Sequence, residues 1–297
     1  MILYKYRTDS SRTEDIIRNK QVWFAKPHTL NDPLECSIQE IAENNINNCC
    51  LQEKREQLEG LVFAYIITPK DTTIWGLPKS KIEELLNRIG KAQDFDEKYR
   101  IYSNFIYSRT GNYPSDPKTK YTSLNEYLEN VGIFSLSKTC EEELMWGHYA
   151  DGGKGIAIGF DVKEKRSITN DSICLEVKYS NEPIVLSERL KTVLAMSIDQ
   201  NGNSLFSQHP AFDDPFLHAV MSTKNTKWSY EKEWRCVERT SGLKDVLSPI
   251  KEIVFGLKCP PEIRDKYISL ANTHCKSEVY FFEIVLDGRT ITKQRIK

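Results

Sequence analysis

Trp228-Ser229-Tyr230-Glu231-Lys232-Glu233-Trp234-Arg235 is the stretch on which the fold and the chemistry of this chain of 297 residues turn. From Glu233 it runs on through Cys236 and Val237 to Glu238, and Glu233–Glu238 reads as a strand. If the extended backbone reaches back to Glu231, then Glu231, Glu233 and Arg235 share one face, flanked by Trp228 and Trp234. The two carboxylates then stand about 7 Å apart along the strand. Paired carboxylates near aromatic rings can ionise differently, one orienting a sugar hydroxyl while the other stabilises a developing cation. An exposed strand with an internal Glu/Arg pair is the plainer alternative.

The same texture extends outward. Gly132–Ser137, Gly155–Asp161, Ile173–Tyr179, Glu252–Gly256, Val279–Val285 and Thr290–Ile296 are rich in β-branched and aromatic residues and read as strands. Helices are expected near Glu141–Tyr149, Leu186–Ile198, Pro210–Ser222 and Pro261–His274. At the start, Ile2–Arg7 alternates as a strand, a helix capped by Ser10 or Ser11 follows, with Glu14 completing a capping box on Ser11, and Gln21–Ala25 is a second short strand. From about Leu51 to Leu128 the pattern is mostly helical, with a three-to-four-residue apolar period in Lys81–Ile89 and aromatic residues at helical spacing in Phe95–Tyr107. Strands and helices mixed without regular βαβ alternation give an α+β fold, a single domain over 1–297 with a helical insert or subdomain at about 51–128.

Composition narrows the function. Lys and Arg number 41 against 42 Asp and Glu, a net charge of −1, which removes the simplest argument for a dedicated phosphate binder. The longest apolar run, Leu61–Ile67, is far short of the ~20 residues of a membrane span. No secretory pattern is visible in the opening residues, so the expected location is cytoplasmic, with no membrane partner. Eight scattered cysteines form no CxxC pair and read as buried reduced thiols, and no histidine spacing calls for a metal.

Three other segments carry polar groups on a regular pattern. In Tyr4-Lys5-Tyr6-Arg7 the two cations share one strand face, solvated or aimed at an anion. In Phe134-Ser135-Leu136-Ser137 the hydroxyls point one way, to a ligand or to a neighbouring strand. Gly147-His148-Tyr149-Ala150-Asp151-Gly152-Gly153-Lys154 is no phosphate loop: its spacing is one residue too long, no Ser or Thr follows the lysine, and a helix precedes it. Asp151-Gly152-Gly153 is a turn into the next strand, and Trp146, His148 and Tyr149 beside it are rings able to stack on a base.

Taken in order, Leu3–Arg7, Leu30-Asn31-Asp32-Pro33-Leu34-Glu35, Leu144–Ala150 leading into Gly155–Phe160, Lys227–Arg235 and Glu252–Gly256 resemble the landmarks of an uncharacterised bacterial family, domain of unknown function 2971. A more distant resemblance is to ADP-ribosyltransferase-like folds, whose pattern is an early basic residue, a Ser-x-Ser strand and a late Glu-x-Glu. Here Lys5 or Arg7, Ser135 and Ser137, and Glu231 and Glu233 match it in order. That resemblance implies a mixed, mostly antiparallel split sheet gripping NAD as substrate. Glu233 would stabilise the oxocarbenium-like state and hold the 2′-hydroxyl, and Glu231 would activate or position the acceptor. Lys5 or Arg7 would hold the pyrophosphate, Ser135 and Ser137 would brace the ribose or the catalytic glutamate, and His148, Tyr149 and Arg235 would complete the nucleotide site.

The expected function is an NAD-using ADP-ribosyltransferase-like enzyme or NAD glycohydrolase, with a bacterial toxin or defence effector as its setting and an unidentified acceptor macromolecule. A non-catalytic module for nucleic acid or another nucleotide is the alternative, carried by Lys224, Lys227, Lys232 and Arg235 among Trp228, Tyr230 and Trp234. A third reading gathers Asp32, Glu35 and the later carboxylates around a divalent ion.

Overall fold

In a computed structural model, all residues are described except 33–34, 37, 39–42, 75, 115, 123, 163–166, 187–189, 199–203 and 297. The chain divides into two compact units, and the helical insert or subdomain expected at about 51–128 falls mostly in the second. The first comprises Met1–Gln39, Asn125–Ile184 and Phe212–Lys297, and the second Glu40–Leu124 and Val185–Ala211.

The first unit is built on an eight-stranded sheet. Its strands in chain order are β1 (Ile2–Arg7), β2 (Gly132–Ser137), β3 (Ile156–Asp161), β4 (Ile173–Glu176), β5 (Glu233–Glu238), β6 (Ile250–Phe255), β7 (Tyr280–Asp287) and β8 (Thr290–Arg295). Their spatial order is 8-7-6-3-1-2-5-4, and every neighbouring pair is antiparallel except β6 with β7. With helices on both faces, this is the expected α+β class. β1 follows β3 for six residue pairs and β2 follows β5 for six, but β1 and β2 share the single pairing Tyr4↔Ser137. The sheet therefore parts between β1 and β2.

Strand alternation sends successive side chains to opposite faces. Leu3, Phe134, Phe160, Trp234 and Ile253 go to one face, where Ile16 and Ile17 of helix Ser11–Arg18 and Tyr267 and Ala271 of helix Pro261–His274 cover them. Tyr4, Tyr6, Ala157 and Val254 go to the other, against Met145 and Trp146 of helix Glu143–Tyr149. The Trp146 ring meets Tyr6 edge-on at 5.0 Å, and its Nε1 donates to the Cys140 carbonyl oxygen. Gly155 allows the entry to β3 to touch β1, since a Cβ there would sit 2.2 Å from the Arg7 carbonyl oxygen.

Helix Ser11–Arg18 starts at Ser10, whose hydroxyl accepts from Thr13 N. The expected capping box on Ser11 does not form, and Glu14 pairs instead with Arg18 and Lys266. A second correction concerns the cysteines. Cys174 and Cys236 face each other across β4 and β5 and are joined in a disulfide, while the remaining six are free.

The second unit holds helices Glu43–Ile67, Lys79–Gly90, Phe95–Thr110 and Pro117–Thr122, the first beginning before the stretch at about 51–128 expected to be helical and the others within it. Leu61, Ile82, Leu85 and Tyr102 form its core. Asp94 caps the third of these helices by accepting from Glu97 N at 2.8 Å, and Gly111, at φ +74°, ends it. The helix expected over Leu186–Ile198 is not formed. Residues 187–189 lie outside the described set, and Thr192–Ile198 is a strand paired antiparallel with Ser204–Pro210. Its run Thr192-Val193-Leu194-Ala195-Met196-Ser197-Ile198 is apolar at nearly every position, so periodicity does not separate helix from strand, and its β-branched residues favour the latter. Among the described residues, no helix is long and apolar enough to cross a membrane.

Candidate functional site

Where β1 and β2 part, a cleft opens with about 610 Å³ of empty space, some of it continuous with solvent. Its walls include Tyr4, Tyr6, Leu136, Met145 and Tyr149, and its floor carries Glu35, Lys224, Glu231 and Glu233.

The β2–β5 register sets the floor. Glu233 lies opposite Ser137 and Arg235 opposite Ser135, so these four side chains leave the sheet on the same face as Tyr4. Glu231 arrives differently from the sequence reading. It ends the 3-10 helix Thr226–Glu231, and Lys232 is in the left-handed region at φ 44°, so the strand begins only at Glu233. The turn still delivers both carboxylates to one ammonium. Lys224 Nζ donates to Glu231 Oε2 at 2.7 Å and to Glu233 Oε2 at 3.2 Å, and lies 3.6 Å from Glu35 Oε2.

Behind this ammonium lies Arg235, fully buried. Its Nε donates to Glu233 Oε1 at 2.9 Å, one Nη to Glu233 Oε2 at 3.1 Å, the other to the Met221 carbonyl oxygen at 2.9 Å, and it is also bonded to Glu35. Burial alone would raise the Glu233 pKa. Arg235, then Lys224 and the Ser135 hydroxyl, outweigh burial and hold it at about 2. Burial would likewise lower the Lys224 pKa, but Glu233, Glu35 and Glu231 hold it above the ordinary lysine value. Both charges are thus fixed by one another.

Glu231 is the less committed carboxylate. Its Oε1 accepts from the Tyr149 hydroxyl at 2.7 Å and its Oε2 from Lys224. Tyr149 in turn accepts from Asn31 Nδ2. Burial, then the bond to Glu231, raises the Tyr149 pKa well above the ordinary phenol value, so the hydroxyl keeps its proton. Ser137 Oγ donates to the Glu231 carbonyl oxygen at 2.7 Å and braces the turn from β2.

Of the residues singled out from sequence, Lys5, Ser135, Ser137, Tyr149, Glu231 and Glu233 line the cleft. Lys5 does so without a free charge: its Nζ donates to the Ser135 carbonyl oxygen at 2.8 Å and lies 4.7 Å from the centroid of the Phe134 ring. Burial, with Arg7 adding to it, brings its pKa down to about 7. Arg7 is not among the lining residues and sits at the far end of β1, opposite Ile156. His148 is exposed outside the lining, with Tyr149 and Tyr230 as its ring neighbours at 6.1 and 6.4 Å. Arg235 lies under the floor and supports Glu233 rather than facing a ligand.

Asn31 is not among the site residues expected from sequence, Glu35 enters there only in the divalent-ion reading, and Lys224 only on a nucleic-acid surface. The first two belong to the turn-rich segment 30–35, of which residues 33–34 lie outside the described set. Lys224 is 4% exposed and spent on carboxylates, and Trp234 is in the core, so neither offers a surface to nucleic acid. Glu35 does join the later carboxylates, as the metal reading required, but the Lys224 ammonium occupies the centre of that group.

Residues 145–236 match the family model described as protein of unknown function (DUF2971). That region is similar to a domain of unknown function. It contains Met145, Tyr149, Lys224, Glu231, Glu233 and Arg235, most of the cleft's polar floor. Leu3–Arg7, Leu30–Glu35 and Glu252–Gly256 lie outside the matched residues. No curated protein and no solved structure matches the chain.

Proposed function

We propose that the protein cleaves the nicotinamide–ribose bond of NAD or a related nucleotide, by ADP-ribosyl transfer to an acceptor or by hydrolysis. The supporting observation is that Glu231 and Glu233 meet in one cleft with Tyr149, Ser135 and Ser137 at the parting of the sheet. Cleavage of such a bond passes through an oxocarbenium-like state. Glu233, ionised down to about pH 2, supplies the fixed negative charge beneath it. Because Arg235 and Lys224 already hold both Glu233 oxygens, contact with the ribose hydroxyl passes to Glu231. Glu231 accepts one bond at each oxygen from Lys224 and Tyr149, and a carboxylate has about four acceptor positions. It can therefore also orient the attacking water or acceptor.

The pyrophosphate role expected of Lys5 and Arg7 has no support, since one is bonded to Ser135 and the other stands outside the cleft. The deciding experiment measures nicotinamide release from NAD by wild type, Glu231→Gln and Glu233→Gln, with and without cell extract. Release by wild type and its loss in both variants, with unfolding curves that remain cooperative, is the expected result. No release and no shift in melting temperature with NAD would end this reading.

A further inference from the structure

The charges on the cleft floor do not balance. Glu35, Glu231 and Glu233 face Lys224 and Arg235, and none of the five is more than 7% exposed. One negative charge is left over in a place poorly screened by water. Lys5 offsets it only in part, because burial brings its pKa down to about 7 and its ammonium is turned to the Ser135 carbonyl and the Phe134 ring. Above this floor stand the rings of Tyr4, Tyr6 and Tyr149 and the apolar side chains of Leu136 and Met145. An anionic base under aromatic walls favours a flat, delocalised cation and disfavours phosphate.

Resting on the reading under Proposed function, we propose that the group seated in the cleft is a cationic pyridinium N-riboside, and that the phosphates of a dinucleotide contribute nothing to recognition there. The minimal substrate is then nicotinamide riboside. In its hydrolysis the C1′–N bond breaks, its electron pair goes to the ring nitrogen, and the ring leaves neutral. Water forms the new C1′–O bond, and its proton passes to Glu231 and on to solvent. No oxidant or reductant takes part.

Two measurements test this. In the first, kcat/KM for nicotinamide release is compared among nicotinamide riboside, its 5′-monophosphate and NAD. The expected order puts the riboside at least equal to NAD and about tenfold above the monophosphate. NAD turned over more than tenfold better than the riboside would overturn the inference while leaving the proposed activity standing, whereas no release from any of the three would remove both. In the second, titration calorimetry on wild type compares 1-methylnicotinamide, which carries the ring charge and has no ribosyl bond to cleave, with its neutral dihydro form of nearly the same shape. Binding of the charged form at least tenfold tighter is expected, and equal binding would overturn the assignment.

Discussion

Arg235 and Glu233 stand two residues apart on one face of a single strand, and the guanidinium of the first grips both carboxylate oxygens of the second with neither side chain open to water. The pair joins the sheet to the cleft, because the same Glu233 carboxylate meets Lys224. Removing one partner of a buried ion pair costs about 3–5 kcal/mol, and without the guanidinium Glu35, Glu231 and Glu233 would share the Lys224 ammonium. Arg235→Met is expected to lose that much stability in urea unfolding. Arg235→Lys will not rescue it, since an ammonium cannot reproduce the guanidinium fork. A loss below about 1 kcal/mol in both variants would show that the pair does not hold the floor together.

Glu233 also sets an acid limit. Its folded pKa of about 2 lies below the ordinary glutamate value of 4.5, so the unfolded chain binds a proton first as pH falls. The stability this gives is present above about pH 4.5 and is lost progressively between there and pH 2. Urea midpoints across that window should fall more steeply for wild type than for Glu233→Gln. Parallel curves would contradict it.

The order of these elements was legible because it is local. Ile2–Arg7, Gly132–Ser137 and Glu233–Glu238 declare themselves by alternation, and the strand register then brings Ser135, Ser137 and Glu233 to one face. What stayed hidden is set by distance along the chain. Glu35 meets Arg235 across 200 residues, and a turn-rich segment carries no pattern that announces such a partner. Lys5 shows a different limit: its strand face follows from alternation, but the direction of its ammonium depends on a flexible stem and on the open carbonyl of Ser135. Strand Thr192–Ile198 reads as a helix from sequence because an apolar run without alternation fits either period.

Lys5 should be visible by its own pH dependence. With a folded pKa near 7 against 10.5, the folded chain binds fewer protons than the unfolded one between those values. Stability therefore rises with pH across that interval, as the charged form of a poorly solvated lysine is relieved. Between pH 7 and 9, wild type should gain stability relative to Lys5→Met in urea unfolding. A constant difference between the two would mean that Lys5 titrates as an ordinary surface lysine.

The Tyr149 hydroxyl bonded to Glu231 is a neutral donor on a carboxylate, an interaction contributing about 1.5–3 kcal/mol. If Glu231 meets the reacting sugar, Tyr149→Phe frees that carboxylate to turn and slows nicotinamide release roughly 10- to 100-fold. The same bond contributes to stability, so the melting temperature should fall modestly, and the rates are compared at a temperature where both proteins are folded. An undiminished rate would detach Tyr149 from the chemistry.

The Cys174–Cys236 link bears on the same glutamate. Just past Cys174, Val177 N donates to the Glu233 carbonyl oxygen and the Tyr179 hydroxyl accepts from Glu233 N at 2.7 Å, so the tethered segment holds the backbone from which the carboxylate projects. The residues joined are 62 apart in sequence, and restricting an unfolded loop of that size gives about 4 kcal/mol in the chain-entropy model. Denatured without reductant, the purified protein should show six titratable thiols, and eight after reduction. Cys174→Ala combined with Cys236→Ala should lower the urea midpoint, and nicotinamide release should fall with it as Glu233 loses its backbone support. Eight thiols without reductant would remove the link, and an unchanged rate in the double variant would uncouple the edge strand from the cleft.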